Sequence, residues 1–577
     1  MLPHKQIELQ LATAVRNALP DAELSAFLVR PCPDPKFGDY QCNALMALAK
    51  ARKLNPRQLA ADVLAKLDVS EICEKVESAG AGFLNFRLNN SALERTLEAA
   101  ARGDHLFFEK VAQPKTVVID FSSPNAAKPM HVGHIRSTIL GDALARALRL
   151  LGHRVITDNH IGDWGTQFGM LLVGWKRFLD RNALSRDPVA EMERLYKLVN
   201  AASATDETVR DAARLELVKL QGADPANLGI WREMIGLSQK QFDEIYSRLG
   251  VKFDHALGES FYNPKLKSLV EELRARGLAR ESEGATVVFF DDHPQLQAHP
   301  LIVRKSDGGF NYATTDLATL AYRCETWRPD EIIYVTDGRQ QLHFQQVFAA
   351  FRQWRSQLPA SHCQLPKLAH VWFGSILGED GKPFKTRSGE TVRLADLLDE
   401  AEERAFQIVS EKNPGLPEAQ RRDIARVVGL GAVKYADLLP NRQSDYVFSW
   451  EKMLALNGNT APYLQYACAR IRSIFRKAEG ESQKAEIVPT APQEIALAKQ
   501  LLNFGLTLEA VAEEHRPNFL CNYLFELAGR FTAFYENCPV LKAAEATRAS
   551  RLALCDLTAR VLKQGLDTLG IQTLEQM

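Results

Sequence analysis

The sequence predicts an α/β chain, with a Rossmann-like parallel-sheet domain, a small α+β domain before it and an all-α bundle after it. Three observations predict this. Residues 116–121 (TVVIDF) form a nearly continuous β-rich run, the pattern of a strand buried on both faces. A loop, a long helix and a second short strand follow, which is how an open parallel sheet begins. Beyond Val392 the sequence is helical to the end, with internal breaks near 413–415 and 479–492.

Each element has its own warrant. With 577 residues there is room for two to four domains. The division expected is 1–112, then 113–392 with a helical insertion at about 181–255, then 393–577. Ile7, Leu11, Val15 and Leu19 recur at helical spacing, and Pro20-Asp21 stops that helix. Residues 42–61 read as helical on both sides of Pro56. Gly80-Ala81-Gly82 leads into 83–88 (FLNFRL), whose alternation predicts a strand. A linker is expected over 99–114. The helix from about Gly133 to Leu151 keeps Ile135, Ile139, Leu140, Ala143, Leu144, Ala147 and Leu148 on one broad face, and Gly152 ends it. Residues 153–158 (HRVITD) supply the next strand. Residues 189–249 are helix-rich and charged, as an insertion in the sheet would be. Strands return at 286–290, 301–304 and 331–336, with a helix through 316–324, and Asp380-Gly381 marks a tight turn.

Composition narrows the class without naming it. Apolar residues make up 46% and charged residues 25%, ordinary for a globular protein. Lys plus Arg and Asp plus Glu both number 71, so bulk charge gives no sign of a nucleic-acid partner and does not exclude a local basic face. No stretch reads as a membrane span or a signal-peptide core, so a cytoplasmic protein with no membrane partner is expected. The cysteines include no Cys-x-x-Cys pair, which points to reduced thiols and no protein-held structural metal.

The chemistry concentrates in 122–134 (SSPNAAKPMHVGH), between the first strand and its helix. Open α/β sheets bind ligands there. His131 and His134 flank Gly133, and the helix N-terminus behind them offers free N–H groups and a positive dipole end, both suited to phosphate. Taken alone, His-x-x-His is also compatible with a metal half-site or two unrelated surface imidazoles. The spacing of a helical zinc-protease motif is absent.

His-Val-Gly-His resembles the HIGH signature of class I aminoacyl-tRNA synthetases. The surrounding FSSPNAAKPMHVGHIRSTILGDALAR and the block 158–169 (DNHIGDWGTQFG) are similar to the arginyl-tRNA synthetases of bacterial type. The resemblance runs from 37–41 to 531–535. It implies activation of L-arginine by ATP with Mg²⁺, transfer to tRNA(Arg), and a monomer. It assigns His131 and His134 to the ATP phosphates, with Ser123, Pro124 and Gly133 lining the same place. The family's KMSKS signature is missing; 381–389 (GKPFKTRSG) stands at the matching place. There the resemblance implies a phosphate role for Lys385, with Lys382 or Lys128 assisting. The residues alone leave open a solvated hairpin tip.

A guanidinium is planar, permanently charged and offers five donors, so a selective pocket needs carboxylates in its plane. The resemblance places Asp120, Asp316 and Tyr312 at the guanidinium, and Asn125 and Gln340 at the α-amino and carboxylate end. By residue type alone, Asp316 also fits a helix N-cap and Tyr312 a core aromatic. For RNA, 463–474 (YLQYACARIRSI) mixes aromatic and basic residues on one helix, suited to stacking bases and holding phosphates. The resemblance makes the C-terminal bundle the anticodon-binding domain, with Tyr463, Gln465, Tyr466 and Arg470 as contacts. It makes the N-terminal domain a second tRNA-contacting part, through Phe83, Asn85 and Arg87. It also implies that arginine activation needs bound tRNA.

Overall fold

The computed structural model describes residues 1–22, 29–357, 365–384, 391–478 and 486–577. They fall into two compact units, one formed by Met1–Val111 with Ala455–Met577 and the other by Ala112–Leu454.

The first segment runs α1 (Pro3–Ala18), β1 (Arg30–Pro31), β2 (Tyr40–Cys42), α2 (Ala44–Arg52), α3 (Pro56–Leu64), β3 (Cys73–Ala79), β4 (Phe83–Leu88) and α4 (Asn90–Arg102). Its strands make an antiparallel sheet in the order β1-β2-β4-β3. Local chemistry sets the helix ends. Asn55 caps α3 with Pro56 in the first turn, and Asn89 caps α4, which Gly103 closes in the left-handed region.

The second unit begins with β5 (Thr116–Asp120), α5 (Val132–Leu150) and β6 (Arg154–Asp158). A helical block follows: α6 (Gln167–Phe178), α7 (Arg181–Arg186), α8 (Pro188–Thr205), α9 (Glu207–Gln221) and α10 (Pro225–Leu249). The last four each open on an aspartate whose carboxylate accepts from the first-turn N–H groups: Asp180, Asp187, Asp206 and Asp224. Next come α11 (Glu259–Tyr262), α12 (Leu266–Ala275), β7 (Ala279–Ser282), β8 (Ala285–Val288), β9 (Leu301–Arg304), α13 (Tyr312–Trp327), β10 (Glu331–Tyr334), α14 (Gln341–Ser356) and β11 (Lys367–His370). The unit closes with β12 (Ile376–Leu377), α15 (Leu394–Lys412), α16 (Glu418–Leu438), β13 (Tyr446–Val447) and α17 (Trp450–Met453).

Strands β11-β10-β5-β6 form an all-parallel sheet, and Val117, Val118, Ile119, Ile332 and Ile333 are buried within it. From β5 the chain winds to β6 on one side, while β10 lies on the other and leads to β11. The strand order therefore reverses between β5 and β10, and a crevice opens at their C-terminal ends. Three expectations are corrected. The strands near 286–290 and 301–304 do not join this sheet; β7-β8-β9 is a separate antiparallel sheet, in which a tight turn at Glu283-Gly284 joins β7 to β8 and fixes their antiparallel pairing. Nor is the chain purely helical beyond Val392, since β13 pairs in parallel with β12. A domain boundary at 393 falls inside this unit, which continues to Leu454 as α15 and α16 pack against each other and against α5.

The final segment is α18 (Ala461–Lys477), α19 (Pro492–Leu502), α20 (Phe504–Glu514), α21 (Asn518–Asn537) and α22 (Glu545–Thr568). Contrary to expectation, one stretch here, Pro492–Glu514, is long and apolar enough to cross a membrane, with mean hydropathy 1.2. It is two helices meeting at Asn503, and Leu497, Leu501, Leu502 and Leu508 are buried in the bundle.

Candidate active site

The loop after β5 is held in an unusual backbone path. Ser122, Ser123 and Ala127 have φ of +73°, +48° and +60°, each costing on the order of 1–3 kcal/mol for a residue with a side chain. Buried hydrogen bonds offset this. Ser122 N–H donates to Ser137 Oγ at 2.8 Å, Ser123 N–H to Asn159 Oδ1 at 3.0 Å and Ala127 N–H to Ser238 Oγ at 2.8 Å. Ser122 Oγ also meets Tyr246 Oη and Thr138 Oγ1, both at 2.8 Å. Pro124 is buried and its carbonyl accepts from Gly162 N–H, while Asn125 and Lys128 stay exposed at the rim. Lys128 Nζ stands 5.0 Å from the Tyr196 ring centre.

His131 is the N-cap of α5. Gly133 N–H donates to His131 Nδ1, and His131 N–H donates to His134 Nδ1, both at 3.1 Å. A backbone N–H can only donate, so each Nδ1 carries a lone pair and each neutral ring bears its proton on Nε2. Burial holds both imidazoles below their ordinary pKa, His134 at about 3, so the rings stay neutral; Arg339 and Lys128 add to the effect at His131. The result is a fixed pair of Nε2–H donors, ring centres 4.0 Å apart, at a helix N-terminus. Gly133 is required by closeness: a Cβ there would lie 2.9 Å from His131 Cε1.

A second cluster of charged side chains lies at the C-terminal ends of β5 and β6. Asp120 ends β5 and Asp158 ends β6, in register, and Arg323 of α13 binds them at 2.6 and 2.8 Å. All three are buried. Burial raises the Asp120 carboxyl above its usual range, with Arg323 and His160 opposing. Asp316 accepts or shares a hydrogen bond with His343 Nε2 at 2.6 Å, and the Tyr312 ring packs edge-on against His343 at 4.7 Å. Asn311, not Asp316, caps α13, and Tyr312 is 63% exposed, so neither side chain has the bland structural role its type allows. Burial pushes Glu259 up to about 7, with His160, Asp316 and Asp163 nearby. Gln340 is exposed in the single turn Gly338–Gln340 that follows β10.

Lys382 lies at a tight turn, where Gly378 N–H donates to Lys382 O at 2.8 Å and Gly381 has φ +71°. Lys385 lies outside the described residues. Burial corrects two expected RNA contacts. Gln465 is 0% exposed and donates to Gln572 O at 2.8 Å, so it serves the bundle core. Asn85 is buried and accepts from Gln41 Nε2 at 2.9 Å. Tyr466 is 47% exposed; Tyr463 packs on Phe525, and Arg470 lies over Tyr535 at 4.7 Å. Phe83 and Arg87 are half-buried, and Arg87 donates to Lys36 O at 2.8 Å.

Sequence reasoning missed Arg323, Asp158, His343, His160 and Glu259. Arg323 had a legible signal: it lies seven residues beyond Asp316, on the same helix face, amid buried Leu317, Leu320 and Cys324. The others come together only through tertiary packing.

The chain matches the family described as tRNA synthetases class I (R), catalytic domain, over residues 96–450. It also matches the Arginyl tRNA synthetase N terminal domain over 5–88 and the DALR anticodon binding domain over 464–577. It is similar to the arginine–tRNA ligase of Chromobacterium violaceum, 48% identical over 98% of each chain. That of Hahella chejuensis is 46% identical, over 99% of this chain and 100% of its own. Among solved structures, the Thermus thermophilus arginyl-tRNA synthetase aligns with a TM-score of 0.84 at 27% identity, covering 100% of both chains. The Plasmodium falciparum arginyl-tRNA synthetase aligns with a TM-score of 0.80 at 29% identity, over 100% of this chain and 99% of its own.

Proposed function

The chain belongs to the class I arginyl-tRNA synthetases and is an arginine–tRNA ligase, and from that premise we propose how its residues divide the work. In the first step an arginine carboxylate oxygen attacks the α-phosphorus of ATP. An O–P bond forms, the bond to the β-phosphate breaks, and pyrophosphate leaves arginyl-adenylate. Transfer of the arginyl group to tRNA(Arg) then releases AMP.

The observation that carries this assignment is the pair of Nε2–H donors of His131 and His134 at the N-terminus of α5. Negative charge builds on phosphate oxygens during the attack, and donors fixed by their own backbone meet it without reorganising. Ser123, Pro124 and Gly133 shape the ATP side, and Lys128, Lys382 and Lys385 supply cations toward the phosphates. Mg²⁺ enters with ATP, held mainly by the phosphates.

Asp120, Asp316 and Tyr312 receive the substrate guanidinium, while Asn125 and Gln340 take its α-amino and carboxylate end. Asp120 and Asp158 share the one guanidinium of Arg323, and a substrate guanidinium brings a second cation to them. Tyr463, Tyr466 and Arg470, with Phe83 and Arg87, contact the tRNA. The enzyme works as a cytoplasmic monomer, as its family resemblance implies.

ATP–pyrophosphate exchange with each of the twenty amino acids, with and without tRNA, tests the reading. Exchange with arginine alone, appearing on addition of tRNA, is the expected result. Exchange with another amino acid would overturn the pocket assignment.

A further inference from the structure

Arg136 has no part in the chemistry above, yet it is among the most buried large side chains of the protein. It lies on α5, little more than one turn beyond His131. Its guanidinium lies over the rings of Phe373 and Tyr446, 5.7 and 5.2 Å from their centres. Nη1 donates to Gly374 O at 2.8 Å and to Ser444 O at 3.2 Å, and Nε lies 2.9 Å from Asp437 Oδ1.

The two carbonyls belong to separate segments, and those segments lead straight into β12 and β13. Asp445 Oδ1 accepts from Ser375 N–H at 2.6 Å, Tyr446 N–H donates to Ser375 O at 3.2 Å, and Phe448 N–H donates to Leu377 O at 2.8 Å. From β12 the chain enters the Lys382 turn, whose far side returns as Phe384 N–H donates to Ile376 O at 3.0 Å. Phe384 stacks on Phe448 at 4.6 Å. One unbroken series of contacts therefore joins the helix that carries the histidines to the turn that carries Lys382.

A buried ion pair is weak evidence for stability, since apolar side chains of equal volume often serve as well. What the guanidinium supplies is direction: a planar fork can hold two carbonyls and a carboxylate at fixed angles, and a lysine cannot. We infer that Arg136 is a positioning residue that sets the Lys382 turn against the His131–His134 pair, holding the two sides of the ATP phosphate site at one spacing. The inference rests on the phosphate reading of Lys382 given above. It has a specific consequence. Pyrophosphate is present in the activation step and absent from transfer, so a misplaced turn slows the first step alone.

The test uses the full chain with Arg136→Lys, Asp445→Ala and Lys382→Ala. Asp445 is exposed, so its variant keeps the question open to measurement even if Arg136→Lys fails to fold. For each, ATP–pyrophosphate exchange with arginine and tRNA is compared with single-turnover transfer from preformed arginyl-adenylate. Arg136→Lys and Asp445→Ala are expected to slow exchange at least tenfold while transfer stays within twofold of wild type. Equal losses in both steps, or no loss in exchange, would overturn the positioning role. Lys382→Ala is the control: exchange within twofold of wild type would sink the phosphate reading itself, whereas slowed exchange there with normal exchange in the other two would sink only the inference.

Discussion

Asp120 and Asp158 face each other in register at the C-terminal ends of β5 and β6, and the single guanidinium of Arg323 binds both. Neighbouring parallel strands deliver their last side chains to the same place, so two carboxylates meet there by register alone. Such a pair stays buried only with a cation between, and Arg323 reaches in from α13 to supply it.

Arg323→Met should therefore destabilise the protein by about 3–5 kcal/mol, the usual cost of stripping the partner from a buried charge. The loss should depend on pH. The Asp120 carboxyl already sits above its ordinary pKa through burial, with Arg323 opposing the rise. Without Arg323 it rises further, so the folded state binds a proton that the unfolded state releases, and stability falls as pH rises through that window. Urea unfolding at pH 5 and pH 8 checks this; a larger deficit at pH 5 would contradict it.

His131→Ala and His134→Ala should each lower the activation rate about 10²–10³-fold, the range for removing one preorganised donor. His134 is held at about 3 by burial, so the folded ring stays neutral while the unfolded one protonates near its ordinary value. Its share of stability is complete above that ordinary value and is lost as pH falls toward about 3. The acid limb of a stability–pH curve should accordingly flatten in His134→Asn, and an unchanged limb would argue against a buried neutral ring.

Asp316→Asn should raise the KM for arginine about 10–100-fold, matching a lost charge-assisted hydrogen bond worth roughly 1.5–3 kcal/mol. The KM for ATP should stay within twofold. His343→Ala, which frees the Asp316 carboxylate and removes the ring under Tyr312, should move arginine KM the same way by a smaller factor. Parallel rises for both substrates would place Asp316 outside the guanidinium pocket.

Neighbouring residues on α18 should separate RNA binding from stability. Tyr466→Ala should weaken tRNA binding by about 1–3 kcal/mol, the worth of a base stacked on an aromatic ring, and leave thermal unfolding unchanged. Gln465→Ala should do the reverse, costing about 0.5–1.5 kcal/mol of stability through the lost hydrogen bond to Gln572 O. Filter binding and thermal melts on the two variants decide it.

Local pattern was enough wherever a residue's environment follows from its neighbours in the chain. The β5 run, the α5 stripe, the His131-x-x-His134 motif at the start of α5 and the Asp380-Gly381 turn are all short-range features, legible in the residue types and their spacing. Burial direction is not legible in that way. Gln465 and Tyr466 are adjacent in a helix that mixes polar and aromatic residues, and only the packing of α18 against the C-terminal residues turns one inward and leaves the other in solvent. The strands near 286 and 301 illustrate the same limit, because a short β-branched run is equally at home in a parallel core or in an antiparallel satellite.

By itself the sequence determined the open parallel sheet, the phosphate-suited loop at its helix and the family to which these belong, because periodicity, turn residues and motif spacing are written in consecutive positions. Tertiary structure alone decided that Arg323 bridges Asp120 and Asp158, that His343 holds Asp316, and that Arg136 ties α5 to the segments around β12. Those partners lie tens to hundreds of residues apart. Which distant charges meet is set by strand register and helix packing, and these follow from how the whole core closes.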